Sequence, residues 1–212
     1  VRPLIYEDGK DPSEISRKDE IWQSEAGLLT IAGGKLTGYR KMAETIVDKV
    51  SKQLGDEKYG PCVTKHLNLS GGEIGGSEQF EGFVALKEQI APSYGLTQEE
   101  GRRLAKLYGS NVDKVFQYAH ILSTVPSNLP LGLLAQIYYA VHEEMTYSPV
   151  DFLVRRTGML YFRIDQYKLY KDEVLNVMKQ LLQYSEEETE SFSQQLEEAL
   201  MDAMFSKGSV VE

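Results

Sequence analysis

The chain has 212 residues, of which 42% are hydrophobic and 26% charged, and its net charge is −9. This size suits one ordinary domain, or one domain joined to a fragment of another, and the composition is that of a globular protein. The excess of acid would repel a phosphate backbone, which excludes nucleic acid as an expected partner, and no apolar run reaches the roughly eighteen residues of a membrane span.

The first region, residues 1–58, is predicted to combine strands, a glycine turn and one helix. Residues 1–6 and 15–23 have strand patterns, and a start without methionine or a signal peptide is typical of a segment cut from a longer protein. Residues 27–32 form an apolar run suited to a buried strand, which Gly33 and Gly34 break. A helix is then expected from about Thr37. Its apolar face comprises Tyr39, Ala43, Ile46, Val47, Val50 and Leu54.

Residues 59–76 have the composition of a linker, and residues 77–212 are predicted to form an all-helical domain of five or six helices. Thr97 and Ser185 each open a capping box, and Gly109 is placed to end a helix. Asn111 is expected to cap the helix that follows, and Pro130 to stand in the first turn of another. Inward positions are predicted at Val112, Val115, Phe116, Ala119, Leu134, Ile137, Tyr138, Val141, Met145, Leu169, Val174, Val177, Met178, Leu181, Phe192, Leu196, Leu200 and Met204. The predicted fold class is therefore an α+β fragment followed by an all-α domain, mainly α overall.

Cysteine and histidine usage indicates neither a disulfide nor a metal site. Cys62 is the single cysteine, so an internal disulfide is excluded and a reducing cytoplasm is indicated. His66, His120 and His142 are scattered without the spacing of a zinc motif.

The stretch with the clearest chemical meaning is residues 33–40, Gly-Gly-Lys-Leu-Thr-Gly-Tyr-Arg. Glycines let a backbone approach a ligand closely, and the N-terminus of the following helix favours negative charge. Lys35 adds a full positive charge, and Thr37 adds a hydroxyl or an N-cap. The alternative is a tight strand-to-helix connection with a solvated lysine. The spacing is neither that of a Walker A loop nor GxGxxG.

Several motifs in order along the chain resemble one family. They are Val-Arg-Pro-Leu at residues 1–4, Ser-Arg at 16–17, Ala-Gly-Gly-Lys-Leu-Thr-Gly-Tyr-Arg-Lys at 32–41, Tyr-Gly-Ser at 108–110, Tyr-Ala-Val-His-Glu-Glu-Met at 139–145 and Asp-Phe-Leu-Val-Arg-Arg-Thr at 151–157. This series is similar to the C-terminal portion of the FAD-dependent, quinone-linked glycerol-3-phosphate dehydrogenases, and the resemblance extends to about residue 165. Two departures are Gly38, where the family has threonine, and the absence of the GxGxxG that opens the family's FAD domain.

The resemblance implies a flavoprotein that oxidises sn-glycerol 3-phosphate to dihydroxyacetone phosphate by hydride transfer to FAD. It implies that Arg2, as the catalytic cation, binds the phosphorylated substrate together with Arg17 and Lys35. It assigns flavin contacts to a second group of residues. These are Gly33, Gly34, Lys35, Leu36 and Thr37. Because the main FAD-binding fold is missing, this segment alone is expected to be inactive.

Other expectations remain open beside this interpretation. A glycerol-3-phosphate oxidase shares these motifs but passes electrons to oxygen, and a non-catalytic helical interaction domain is a rival of another class. The resemblance also implies electron transfer to quinone, with a cytoplasmic or peripheral location at the inner face of the membrane. Unpaired strand edges would permit a homodimer. A buried or half-buried ion network of Glu144, Asp151, Arg155 and Arg156 is expected to dock the helices.

Overall fold

The computed structural model describes residues 19–33, 36–55 and 58–205. The chain divides into two compact units, Val1–Asn68 and Leu69–Glu212. The predicted strand at residues 1–6 and the first part of the one at residues 15–23 lie outside the described residues. The predicted boundaries of a linker at residues 59–76 stay a prediction.

The first unit contains a two-stranded antiparallel hairpin followed by a helix. Strand β1 is Glu20–Gln23 and strand β2 is Leu29–Ala32, with Glu20 opposite Ala32 and Gln23 opposite Leu29. A 3-10 turn at Leu36–Gly38 leads into helix α1, Tyr39–Leu54. The predicted order of strand, glycine break and helix is confirmed, and β2 is two residues shorter than the predicted run at residues 27–32.

The apolar face predicted for α1 is largely exposed in the structure as described. Helix α1 has no buried residue. Tyr39, Val47 and Leu54 are 60%, 58% and 65% exposed. Helical periodicity indicates which face is apolar, but two strands of four residues offer too little surface to bury it.

The second unit consists of helices joined by loops, with no strand in the part that the structure describes. Its α-helices are α2 (Phe80–Ile90), α3 (Gln98–Tyr108), α4 (Val112–Leu122), α5 (Leu131–Glu144), α6 (Met159–Phe162), α7 (Ile164–Leu182) and α8 (Glu186–Met204). A π-helical segment, Asp151–Arg156, stands between α5 and α6 where an α-helix was predicted. The mainly α fold with a small α+β start is confirmed. Within the described ranges, no helix is long and apolar enough to cross a membrane.

Local signals place the ends of several helices correctly. The side-chain oxygens of Thr97 and Ser185 accept hydrogen bonds from the backbone N–H groups of Glu100 and Glu188, at 3.1 and 3.2 Å. Each glutamate bonds back to the N-cap backbone, which completes both predicted capping boxes. The side-chain cap predicted for Asn111 is wrong, because its amide donates to Ser70 Oγ at 2.7 Å.

Removing either capping box is expected to lower the free energy of unfolding by about 1 kcal/mol, since one helical N–H loses its acceptor. The substitutions are Thr97→Ala and Ser185→Ala, measured by chemical denaturation. Ser191→Ala is a suitable control, because this exposed residue lies inside α8, where alanine is a good helix former. A loss in the control as large as in the two cap variants would contradict the assignment.

The core of the second unit consists of two hydrophobic clusters that share α5. Leu134 and Ile137 belong to the cluster formed with α7 and α8, whereas Ala135 and Tyr139 belong to the one formed with α2, α3 and α4. Most predicted inward positions are buried or half-buried there. The exceptions are Met145, Leu169 and Met204, which are 91%, 69% and 46% exposed. Met145 is exposed because α5 ends at Glu144, and Met145 takes a left-handed conformation as its C-cap.

Candidate functional site

The glycine turn joins β2 to α1, and the structure brings three of its predicted cofactor-contacting residues together. Gly33, Leu36 and Thr37 all lie between the end of the strand and the first turn of the helix. Gly34 and Lys35 lie outside the described residues, as do Arg2 and Arg17. Whether these cations meet the turn therefore stays a prediction.

The absence of a side chain at Gly33 has a steric reason within the first unit. A Cβ atom there would lie 2.2 Å from Asp19 Oδ1 and 2.6 Å from Met42 Cε. Any other residue would force these two side chains, which come from before the hairpin and from α1, to move. Gly33 thus allows the side chains of Asp19 and Met42 to pack closely against the backbone of the turn.

Helix α1 begins directly after the 3-10 turn that follows the glycines. Its N-cap is Gly38, which makes no side-chain hydrogen bond, and its first turn has no acidic residue. Thr37 is therefore not the N-cap that the sequence allowed. Its side chain is exposed, and Leu36 is 85% exposed. A helix start without an acidic residue has a positive dipole end, which favours an anionic or electron-rich group.

Arg40 and Lys41 stabilise this helix start through Glu44. Arg40 donates to Glu44 Oε2 at 2.7 Å and to Thr64 Oγ1 at 3.3 Å, and Lys41 binds the other carboxylate oxygen of Glu44. These contacts, Lys41 first, lower the pKa of Glu44. Arg40 therefore pairs locally, as expected for a residue that orients the helix.

In the second unit, the expected single ion network is two separate pairs. Arg155 binds Asp151 at 2.6 Å within the π-helical segment, and both side chains are largely exposed. The Nε atom of Arg156 lies 3.5 Å from Glu144 Oε2, and its Nη2 donates to the Glu144 carbonyl at 3.2 Å. Of these two arginines, Arg156 links the π-helical segment to α5, whereas Arg155 pairs within its own segment.

Glu144 is part of a polar group buried beside two tyrosines. Burial raises the pKa of Glu144, which the charge of Arg156 partly offsets. The rings of Tyr108 and Tyr139 meet edge to face at 5.0 Å, and burial raises the pKa of both phenols. The Tyr108 hydroxyl has no hydrogen-bond partner in the structure. The ring contact of Tyr108 and Tyr139 joins the end of α3 to α5.

The three histidines, whose spacing in the sequence indicated no metal site, lie at exposed positions. His142 is exposed and stacks on Tyr118 at a ring distance of 6.0 Å, which is a packing role. Among the described residues, no group of three or more His, Cys, Asp or Glu side chains is placed to hold a metal ion.

Sequence reasoning missed two arginines that line one cavity of the second unit, Arg103 and Arg163. Arg103 has glutamates three and four residues earlier and so resembles one half of an ordinary helical ion pair. Arg163 carried a usable signal, because it directly precedes a long helix, where the helix dipole disfavours a cation.

Comparison with known proteins agrees with the resemblance seen in the sequence. The aerobic glycerol-3-phosphate dehydrogenases of Staphylococcus aureus strains USA300 and NCTC 8325 / PS 47 are each 50% identical to this chain over 206 residues. The match covers 96% of this chain but 37% of each relative, so the chain spans little more than a third of their length.

A solved structure shares the fold as well as the sequence. The glycerol-3-phosphate dehydrogenase from Bacillus halodurans, in complex with FAD, is 43% identical and superposes with a TM-score of 0.84. The superposition covers 90% of this chain and 38% of that one. The family model for the C-terminal domain of alpha-glycerophosphate oxidase matches residues 62–189, more than half of the chain. The chain therefore belongs to the family of C-terminal domains of alpha-glycerophosphate oxidase, and the predicted resemblance to a C-terminal portion is confirmed.

Proposed function

We propose that this chain is the C-terminal part of a flavoprotein that oxidises sn-glycerol 3-phosphate to dihydroxyacetone phosphate. The observation that carries the proposal is 50% identity, over 96% of the chain, to proteins named aerobic glycerol-3-phosphate dehydrogenase. The FAD in the similar Bacillus halodurans structure supports the cofactor. In this reaction the C2 carbon of the substrate loses a hydride, and its hydroxyl loses a proton.

The described part of the glycine turn fits one edge of a flavin. The first turn of α1 has no acidic residue, and the side chains of Leu36 and Thr37 are exposed and available for contact. FAD would supply the hydride acceptor when it is bound. The chain lacks GxGxxG, so the dinucleotide part of FAD would be held by residues outside this chain.

Within this scheme Arg2, Arg17 and Lys35 bind and orient the substrate. A guanidinium fork matches the geometry of a phosphate. Binding the phosphate in this way would fix the orientation of the substrate, and with it the position of the C2–H bond relative to the hydride acceptor. Gly33, Gly34, Lys35, Leu36 and Thr37 contact the flavin. The support for these roles is the match of each residue to the family's motifs.

The chain by itself is expected to bind FAD weakly or not at all, because the turn offers only a few donors. The measurement is the visible spectrum of the purified chain after dialysis against buffer without flavin. Stoichiometric retained flavin would contradict this expectation and would show that the segment holds the cofactor without the longer protein.

Replacing Arg2 by alanine in the longer protein is expected to lower kcat/KM for sn-glycerol 3-phosphate about 10- to 100-fold. A charge-assisted hydrogen bond is worth roughly 1.5–3 kcal/mol, and this contact is made to a dianion. Steady-state kinetics with an artificial acceptor gives the measurement. Arg102→Ala is a matched control, since Arg102 is exposed in an ion pair with Glu88. An unchanged kcat/KM for Arg2→Ala would remove Arg2 from the site.

The electron acceptor separates the two catalytic hypotheses. We propose quinone, with peripheral contact of the longer protein at the inner face of the membrane, and a homodimer as its assembly. The family model's own name, which refers to an oxidase, favours oxygen as the second candidate. Anaerobic sn-glycerol 3-phosphate should bleach the flavin absorbance in either case. Rapid peroxide release in air would identify an oxidase, and no bleaching at all would refute both.

A further inference from the structure

A cavity of about 320 Å³ lies in the second unit, among residues of α3, the start of α5, α6 and the start of α7. One part of its wall is apolar and includes Leu133, Met159 and Tyr170. Two half-buried cations, Arg103 and Arg163, line the same space, and so do the carboxylates of Glu99 and Glu100. The volume is that of a pocket for a small organic molecule, and the mixed wall suits a ligand with one charged and one apolar end.

Arg103 stands in this cavity without a carboxylate partner. It follows Glu99 by four positions and Glu100 by three on α3, yet it forms no ion pair or hydrogen bond in the described structure. The carboxylate of Glu100 accepts hydrogen bonds from the Thr97 and Gly132 backbone N–H groups at 2.9 and 3.3 Å, so it acts on Arg103 through its charge and not through a direct contact. Burial, and then the charge of Arg163, lower the pKa of Arg103, and the charges of Glu100 and Glu99 offset part of this shift.

Arg163 is a second cation without an ion-pair partner among the described residues, and it lies at the N-terminus of a helix. It directly precedes α7, a helix of 19 residues, where the positive end of the helix dipole disfavours a cation. Its Nη1 donates to Gln166 Oε1 at 3.2 Å and its Nη2 to the Thr157 carbonyl at 3.5 Å, but it forms no ion pair in the described structure. Both partners are neutral acceptors, so they orient the guanidinium without cancelling its charge.

We propose that this cavity binds a phosphate monoester, with its phosphoryl oxygens between the guanidinium groups of Arg103 and Arg163. A dianion would cancel both charges at once, and the planar fork of arginine matches its oxygens. The organic group of the ester would lie against Leu133, Met159 and Tyr170. This site contains none of the glycine-turn residues, and it does not depend on the proposed function.

Calorimetric titration of the 212-residue chain with phenyl phosphate tests the charge pair. Arg103→Gln and Arg163→Gln are each expected to weaken binding at least about tenfold, the loss of a charge-assisted contact. Arg102→Gln, one position away on α3 and paired with Glu88, should leave the affinity within about twofold. Glu99→Gln should strengthen binding, because this exposed carboxylate lies at the rim of the cavity. Equal effects of Arg102→Gln and Arg103→Gln would overturn the proposal.

A methionine methyl spectrum of the unmodified chain tests the location even if a variant fails to fold. Met159 lines the cavity, so its ¹³C-labelled methyl signal should move as phenyl phosphate is added. Met178 is fully buried elsewhere in the same core cluster and should not move. Phenol, which has the same ring without the charge, should shift neither signal at the same concentration. An unmoved Met159 signal with phenyl phosphate bound would place the ligand elsewhere and overturn the proposal.

A phosphate monoester also occurs as a lipid headgroup, and the surface beside the cavity gives reason to test it. Tyr161 and Phe162, which precede Arg163, are 67% and 85% exposed. Co-sedimentation with phosphatidylcholine vesicles, with and without phosphatidic acid, distinguishes the two sources. Binding that needs phosphatidic acid and both arginines would identify a lipid, whereas phenyl phosphate binding without vesicle binding would identify a free ester. Failure to bind either probe would overturn the proposal.

Discussion

Replacing Tyr167 by alanine is expected to lower the free energy of unfolding by about 3–5 kcal/mol, the range for removing a large buried aromatic side chain. Tyr167 is completely buried and belongs to the cluster of α5, α6, α7 and α8. Its hydroxyl donates to the Leu196 carbonyl at 2.8 Å, which links α7 to α8. The loss would combine a cavity in a close-packed core with a broken hydrogen bond between helices.

Tyr167→Phe separates these two contributions, because it keeps the ring and removes only the hydroxyl. We expect it to cost about 0.5–1.5 kcal/mol, the usual net value of one hydrogen bond. Chemical denaturation of both variants, with the slope compared to the parent chain, gives the measurement. If Tyr167→Ala cost no more than Tyr167→Phe, the ring would not be a core element of this cluster.

Replacing Gly109 by alanine should cost about 2–4 kcal/mol, since backbone strain and a steric clash act together. Gly109 ends α3 with φ +55° and ψ −136°, which L-residues rarely adopt. A Cβ atom there would lie 2.0 Å from the Gly71 carbonyl oxygen. That oxygen also accepts a hydrogen bond from the Ser110 backbone N–H at 2.9 Å, so the segment cannot simply move away.

Gly82→Ala is the matched control for this substitution. Gly82 lies in the first turn of α2, and a Cβ atom there would meet nothing within 4 Å. Alanine is the better helix former, so this variant should be stabilised by about 0.5–1 kcal/mol. Opposite signs for the two glycine variants would confirm that position decides the effect, while a Gly109→Ala loss below about 0.5 kcal/mol would contradict the clash.

Features that depend on neighbouring residues in the chain were predictable from the sequence. The capping boxes at Thr97 and Ser185 need only one helical turn, and a glycine such as Gly109 can end a helix by its own backbone freedom. The buried faces of α4 and α8 followed from helical periodicity, because both helices pack on partners within this chain. The family motif of the glycine turn was likewise recognisable, because its residues are contiguous in the sequence.

Of the two candidate sites, the glycine turn was predictable from the sequence and the cavity of the second unit was not. Gly33, Leu36 and Thr37 are adjacent in sequence, so their meeting at one turn was predictable. Arg103 and Arg163 are sixty positions apart in numbering, and only the packing of the helices brings them to one cavity. A sequence pattern within one helix cannot predict that Arg103 and Arg163 line the same cavity.

Tertiary structure alone decided the features for which local preferences compete with distant partners. The side chain of Asn111 donates a hydrogen bond to Ser70 and does not cap its own helix. Residues 151–156 are π-helical, and the Thr157 N–H donates to the Phe152 carbonyl. Periodicity showed that α1 has an apolar face but not what covers it. Local hydrogen bonds and steric preferences act within one turn of a helix, so the sequence determines them directly. Burial and long-range side-chain contacts depend on which surfaces the folded chain brings together, and a sequence pattern names only one of the two surfaces.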